Sequence, residues 1–130
     1  MEVKQGYIYL YEPPTASASD QAATVIASGS EQQGLRPFVI VSRDSVNLNK
    51  PTAVGVPLTT KIHKANSYRI MLPVAELIAD VGCLEFQPSV ALCDHVRVLD
   101  LNLIRRKIGR LSQNAFVAVG LGLAFVFDLR

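Results

Sequence analysis

The chain has 130 residues, 49% hydrophobic and 18% charged, which suits one domain with a sizeable core and excludes a chain disordered throughout. Its net charge of +2, from 13 Lys and Arg against 11 Asp and Glu, permits nucleic-acid binding without arguing for it. The two cysteines, Cys83 and Cys93, have no metal-ligand spacing around them and read as reduced, mostly buried thiols.

The N-terminal stretch MEVKQGYIYLYEPP has an acid at position two and no apolar signal core, so a cytoplasmic protein is expected. Within it, YIYLY (7–11) is aromatic and β-branched, a strand signal. Residues 13–30 are small, polar, Pro-started and without period. They read as a long mobile loop, with a helical turn near Ala22–Ile26 as an option. PFVIVSRD (37–44) is a continuous apolar run opened by Pro37 and predicts a well-buried strand. SVNLNKP (45–51) is a turn-rich connector. TAVGVPLTT (52–60) predicts another buried strand, in which Pro57 implies an edge, a bulge or the strand's exit.

SYRIMLP (67–73) is a fourth strand candidate, and VAELIADVGCLEFQ (74–87) fits either a helical turn or a loop. SVALCDHVRVLD (89–100) alternates as a strand with a kink at Asp94. LIRRKIGRL (103–111) predicts a small final strand. Ser112 then caps a helix over 113–127, whose glycines, Gly120 and Gly122, permit close approach to another backbone. The apolar run 115–127 is too short for a bilayer, which takes about 20 residues. Five or six short strands and one apolar helix predict a mainly β domain spanning 1–130, a strongly curved antiparallel sheet or barrel with the helix packed on it. A helix apolar nearly all round has more surface than one small sheet covers, so a homodimer is expected.

GSEQQGLRPFVIVS (29–42) resembles the signature of the MazF/PemK family of toxin endoribonucleases: a glycine, an acid-amide turn, a second glycine, then Arg-Pro before an apolar strand. Three more stretches match in order. KQGYIYL (4–10) resembles the family's first strand, PTAVGVPLTTKI (51–62) its Pro-Leu-Thr-Ser/Thr strand end, and SVALCDHVRVLD (89–100) its Ser-Val, acid, Arg and Asp segment. KIGRLS before the last helix is also similar. The resemblance implies an SH3-like barrel of the CcdB/Kid/MazF type with a C-terminal helix, forming a homodimer. It implies metal-independent, sequence-specific cleavage of single-stranded RNA, no cofactor, and an antitoxin partner whose disordered segment covers the RNA groove.

Metal-free RNA cleavage uses the RNA's own 2′-hydroxyl as nucleophile, so a proton must leave it and extra charge on phosphorus must be stabilised. A guanidinium suits the second task. Arg36 is the candidate, held extended by Pro37 and able to reach from a turn rim; the plain alternative is a solvated surface Arg. By resemblance Thr59 is the catalytic threonine, donating to a phosphate oxygen or positioning the 2′-hydroxyl, against a hydroxyl that only caps its own backbone. Thr60 and Lys61 follow as RNA contacts. His63, in a basic loop beside them, offers a base near neutral pH or is simply solvated.

Asp94 falls where the family has an acid, but Leu92 stands where that acid's Arg partner belongs, so the family's Arg/Asp acid–base scheme does not carry over. Asp94 then reads a base edge, braces the site or caps a bulge, and His95 replaces a common Gln as a base donor. Gln5 and Tyr7 replace the family's first-strand Arg and acid. Glu31, Gln32 and Gln33 offer acceptors and amide forks for base edges, or only hold the turn. Lys50, Lys61, Lys64 and Arg69 form a basic rim for phosphates or for water. IRRKIGR (104–110) binds RNA or an acidic antitoxin, or solubilises an edge strand. The alternative function is a CcdB-like topoisomerase inhibitor or a catalytically impaired binding module of the same fold.

Overall fold

The computed structural model describes residues 2–13, 34–83 and 85–129. Its strands are β1 (Tyr7–Tyr11), β2 (Arg36–Ile40), β3 (Thr52–Thr59), β4 (Arg69–Leu72), β5 (Leu77–Ala79), β6 (Ser89–Leu92), β7 (Arg97–Asp100) and β8 (Ile104–Leu111). A four-residue helix α1 (Asp44–Asn47) lies in the 45–51 connector, and α2 (Gln113–Phe127) closes the described chain. All pairings are antiparallel, in the order β4-β6-β3-β2-β1-β8-β5, with β7 also paired to β3.

Strand alternation sends neighbouring side chains to opposite faces. The inner face gathers Ile8, Leu10, Val39, Val56, Leu58, Leu72, Leu77, Ala91, Ile108 and Leu111 into one core with Ala115 and Val119 of α2. Every strand but β7 contributes, which requires the sheet to curl into a nearly closed barrel around that core. The outer face carries a second core of Val3, Tyr9, Tyr11, Phe38, Ile40, Ala53, Leu99 and Ile104. β1 and β2 are therefore buried on both sides, which is why their sequences run apolar without a gap.

Eight strands occur among the described residues, more than the five or six expected. The segment 89–100 breaks at a 3₁₀ turn, Cys93–His95, and both halves pair with the same edge of β3: β7 along Thr52 to Gly55, β6 along Leu58 and Thr59. Val56 and Pro57 sit in the gap between these ladders, where a residue lacking an N–H is tolerated. In 74–87, a turn at Val74–Glu76 leads into the short β5. The fourth strand begins at Arg69 rather than 67 because Asn66 Oδ1 accepts the N–H groups of Tyr68 (3.0 Å) and Arg69 (2.9 Å), tying residues 66–69 in a turn. β8 is no edge strand, since β1 and β5 flank it. The stretch 14–30 and its possible helical turn lie outside the described residues.

Helix α2 starts as the sequence predicts. Ser112 Oγ accepts the Ala115 N–H at 3.0 Å, and Asp128 ends the helix in the left-handed region with φ 54°. Its two glycines differ. A Cβ on Gly122 would lie 2.7 Å from Cys93 Sγ and 2.9 Å from Ile70 Cγ1, whereas one on Gly120 would meet nothing within 4 Å. Gly120→Ala should therefore stabilise by about 1 kcal/mol through helix propensity, and Gly122→Ala should lose that gain to overpacking worth about 1–3 kcal/mol. Urea melts of the two variants check this. A more stable Gly122→Ala would show that α2 does not press on the Cys93 turn.

Candidate active site

β2 and β3 run antiparallel with Phe38 opposite Pro57, so Arg36, which opens β2, and Thr59, which closes β3, lie at the same end of the pair. Alternation places them on the same face. Phe38 and Ile40 belong to the outer core, hence so does the side of Arg36; Ala53 belongs to it, hence so does the side of Thr59. Tyr11 stands opposite Arg36 on β1, and Val90 stands opposite Thr59 on β6. Arg36 and Thr59, 23 positions apart in sequence, thus belong to one transverse row of the sheet.

Arg36 is half-buried at the lip of this row. Gly34, with φ 85°, supplies the left-handed bend that swings the chain into β2. Thr59 is only 1% exposed, and its Oγ1 accepts the Lys61 N–H at 3.2 Å. That bond turns the chain into the Ile62–Lys64 turn, so Thr60, Lys61 and His63 form a rim directly after the row, with His63 exposed and Lys61 half-exposed. The hydroxyl of Thr59 keeps its proton free to donate, since it acts as acceptor toward Lys61.

A second group lies further along the same face. Arg69 on β4 pairs with Leu92 on β6, and the register places both on the outer side with Thr59. From there the guanidinium reaches the Cys93–His95 turn and grips Asp94 with two bonds, Nε to Oδ1 at 3.0 Å and Nη2 to Oδ2 at 2.7 Å. The arginine absent at position 92 is thus replaced from the neighbouring strand. The sequence reading, which left Asp94 without an arginine partner, is corrected on this point. The hydrogen bond from Arg69 holds the Asp94 carboxyl below the usual range, against a smaller opposing effect of burial. The pair's contribution to stability is present above the ordinary Asp range and is lost as pH falls through the lowered value. With both side chains about one-quarter exposed, that contribution is modest. His95 Nε2 stands 3.7 Å from Asp94 Oδ2. Burial pushes the neighbouring Cys93 thiol up to about 11, so it stays protonated at neutral pH.

Both cysteines are free thiols, as expected. Glu31, Gln32 and Gln33 lie outside the described residues. Among the described residues there is no cluster of three or more His, Cys, Asp or Glu side chains able to hold a metal ion, and no helix long and apolar enough to cross a membrane. The residue whose role the sequence reading missed is Arg69, which it placed only on a basic rim. Its partner is fixed by the β4–β6 register, for which no local sequence signal exists.

The chain is similar to known proteins in sequence and in fold. Residues 4–127 match the family model described as PemK-like, MazF-like toxin of type II toxin-antitoxin system. The chain is 33% identical over 101 residues to Endoribonuclease MazF of Staphylococcus saprophyticus, covering 73% of this chain and 80% of that protein. Among solved structures it resembles the Mycobacterium tuberculosis toxin MazF-mt6, with a TM-score of 0.67, 18% identity, and coverage of 95% and 98% of the two chains. It also resembles an endoribonuclease in complex with its cognate antitoxin from mycobacterial species, with a TM-score of 0.66, 16% identity, and coverage of 98% and 97%. The signature at 29–42, the Arg36–Thr59 row and the barrel that carries them lead to one assignment: the chain belongs to the PemK-like, MazF-like family of type II toxin–antitoxin toxins.

Proposed function

We propose that this chain is the toxin of a type II toxin–antitoxin pair, a cytoplasmic single-domain protein that cuts single-stranded RNA at specific sequences. The observation that carries the reading is the placement of Arg36 and Thr59 in one row on one face, in a member of this family. The 2′-hydroxyl attacks the adjacent phosphorus, the bond to the 5′-oxygen breaks, and the products are a 2′,3′-cyclic phosphate and a 5′-hydroxyl. Arg36 faces the phosphate oxygens as their charge grows, where a permanent planar cation acts most strongly. Thr59 donates its remaining proton to the same phosphate or sets the 2′-hydroxyl. Thr60, Lys61 and His63 line the path of the strand, and Glu31, Gln32 and Gln33 precede Arg36 closely enough in sequence to contact a base. The cognate antitoxin in the mycobacterial complex supports the expectation of an antitoxin partner here.

Thr59 can be tested by Thr59→Val, which keeps shape and removes the hydroxyl. Cleavage should fall about 10²-fold, and stability by about 1–2 kcal/mol from the lost Lys61 bond. Full cleavage by Thr59→Val, followed on a long RNA with EDTA present, would remove Thr59 from the chemistry. One observation favours the rival reading, a binding module of the same fold: Thr59 is 1% exposed.

Helix α2 supports the homodimer. Val117, Leu121 and Phe125, four residues apart, form an apolar stripe that is 51%, 67% and 61% exposed. Sedimentation should give about twice the 14.2 kDa chain mass. Leu121→Glu should shift the species toward monomer, and an unchanged mass would place the interface elsewhere.

A further inference from the structure

Among the described residues, Arg69, outside the residues assigned to catalysis, makes a two-bond charge-assisted contact with Asp94. Its guanidinium meets the Asp94 carboxylate edge to edge, with two donors on two oxygens. Arg69 is itself held. Its Cζ lies 5.9 Å from the Tyr68 ring centroid, and Tyr68 stacks on Phe125 of α2 at 5.7 Å with 13° between the planes. From the other side Gly122 lets α2 close on Cys93, the first residue of the turn that carries Asp94. The Asp94 turn is therefore pinned by β4 on one side and α2 on the other.

We infer that Arg69 is a positioning residue: it fixes Asp94 as a carboxylate acceptor for an N–H donor on a base edge of the RNA, in place of a proton-accepting role toward the 2′-hydroxyl. The inference rests on the endoribonuclease reading. A carboxylate has about four lone-pair sites, and the guanidinium occupies one on each oxygen. Asp94's own backbone N–H takes up part of the remaining acceptor capacity, and His95 Nε2 stands 3.7 Å from Oδ2. The acceptor site that is left has a fixed direction away from Arg69, which suits a base amino group or ring N–H. Accepting a proton would instead set a neutral carboxyl against the guanidinium and break the bidentate pair. Location agrees. Asp94 lies four residues beyond Val90, the position opposite Thr59, which is on the order of 10 Å along the sheet. A nucleotide beside the cut reaches that place; the scissile phosphate at Arg36 and Thr59 does not.

The test is to sequence the ends produced from a randomised single-stranded RNA by wild type, Asp94→Asn, Arg69→Met and Arg69→Lys, with rates at saturating RNA measured for each. Wild type should demand one base near the cut. Asp94→Asn and Arg69→Met should relax that demand by about 10- to 100-fold, while the saturated rate stays within about threefold and KM for the preferred RNA rises. Arg69→Lys, which keeps the charge and one donor, should retain part of the demand. Should Arg69→Met fail to fold in a thermal melt, Arg69→Lys and Asp94→Asn still decide. An unchanged base profile in Asp94→Asn with a saturated rate down 100-fold or more would make Asp94 the proton acceptor and overturn the inference. Unchanged profiles and rates in all three would leave the pair a structural tie and overturn it too. A wild type that cuts no RNA refutes the endoribonuclease reading itself, and this role falls with it.

Discussion

Arg36→Ala should lower RNA cleavage by about 10²–10³-fold, the loss seen when one preorganised donor to a developing oxyanion is removed. On the proposed mechanism Arg36 supplies that donor from the opening of β2, where it is half-buried, opposite Tyr11, and in one row with Thr59. Its backbone is part of the sheet, so on that mechanism its approach to a phosphate would be set before RNA arrives. Arg36→Lys should recover only part of the activity, because an ammonium keeps the charge but not the planar fork. In cells, expression of the wild-type chain should arrest growth and Arg36→Ala should relieve the arrest. If Arg36→Ala cut RNA at the wild-type rate, the guanidinium would have no part in the chemistry.

The second large effect is on the fold that holds this row. Phe38 is 2% exposed and meets Tyr11 edge to face, with ring centroids 5.4 Å apart and 74° between the planes. It lies two residues from Arg36, on the same face. Phe38→Ala should cost about 3–5 kcal/mol through lost burial and the cavity left behind, including the aromatic pair. Against a typical stability of about 5–15 kcal/mol this is a large share, and it should lower Tm by roughly 10–20 °C. Calorimetry checks it. A loss under about 1 kcal/mol would mean that the outer core repacks and does not brace β2.

How much of this was readable from sequence depended on how local the cause was. β1, β2 and β3 were legible because burial on both faces leaves an unbroken apolar run. Ser112 announced α2, whose bounds match, because a cap is a local bond. The break at Asp94 was visible as a lapse in alternation. β5 was not, because three residues carry no period. β8 was underread because Arg105, Arg106 and Lys107 are exposed, and only its pairing with β1 and β5 shows that it lies inside the sheet. The site divides the same way. Arg36 and Thr59 were marked by motifs and then brought together by register. The motifs led away from the Arg69–Asp94 pair, since the family's position for the arginine holds Leu92, and only the β4–β6 ladder brings the replacement across.

On the proposed mechanism RNA is cut by its own 2′-hydroxyl on the Arg36–Thr59 row. The most direct measurement is the chemistry of the ends left when the wild-type chain acts on a long single-stranded RNA with EDTA present. Discrete cuts with 2′,3′-cyclic phosphate on one side and 5′-hydroxyl on the other are the expected result. Ends carrying a 3′-hydroxyl and a 5′-phosphate, or no cuts at all on a varied RNA, would contradict the mechanism.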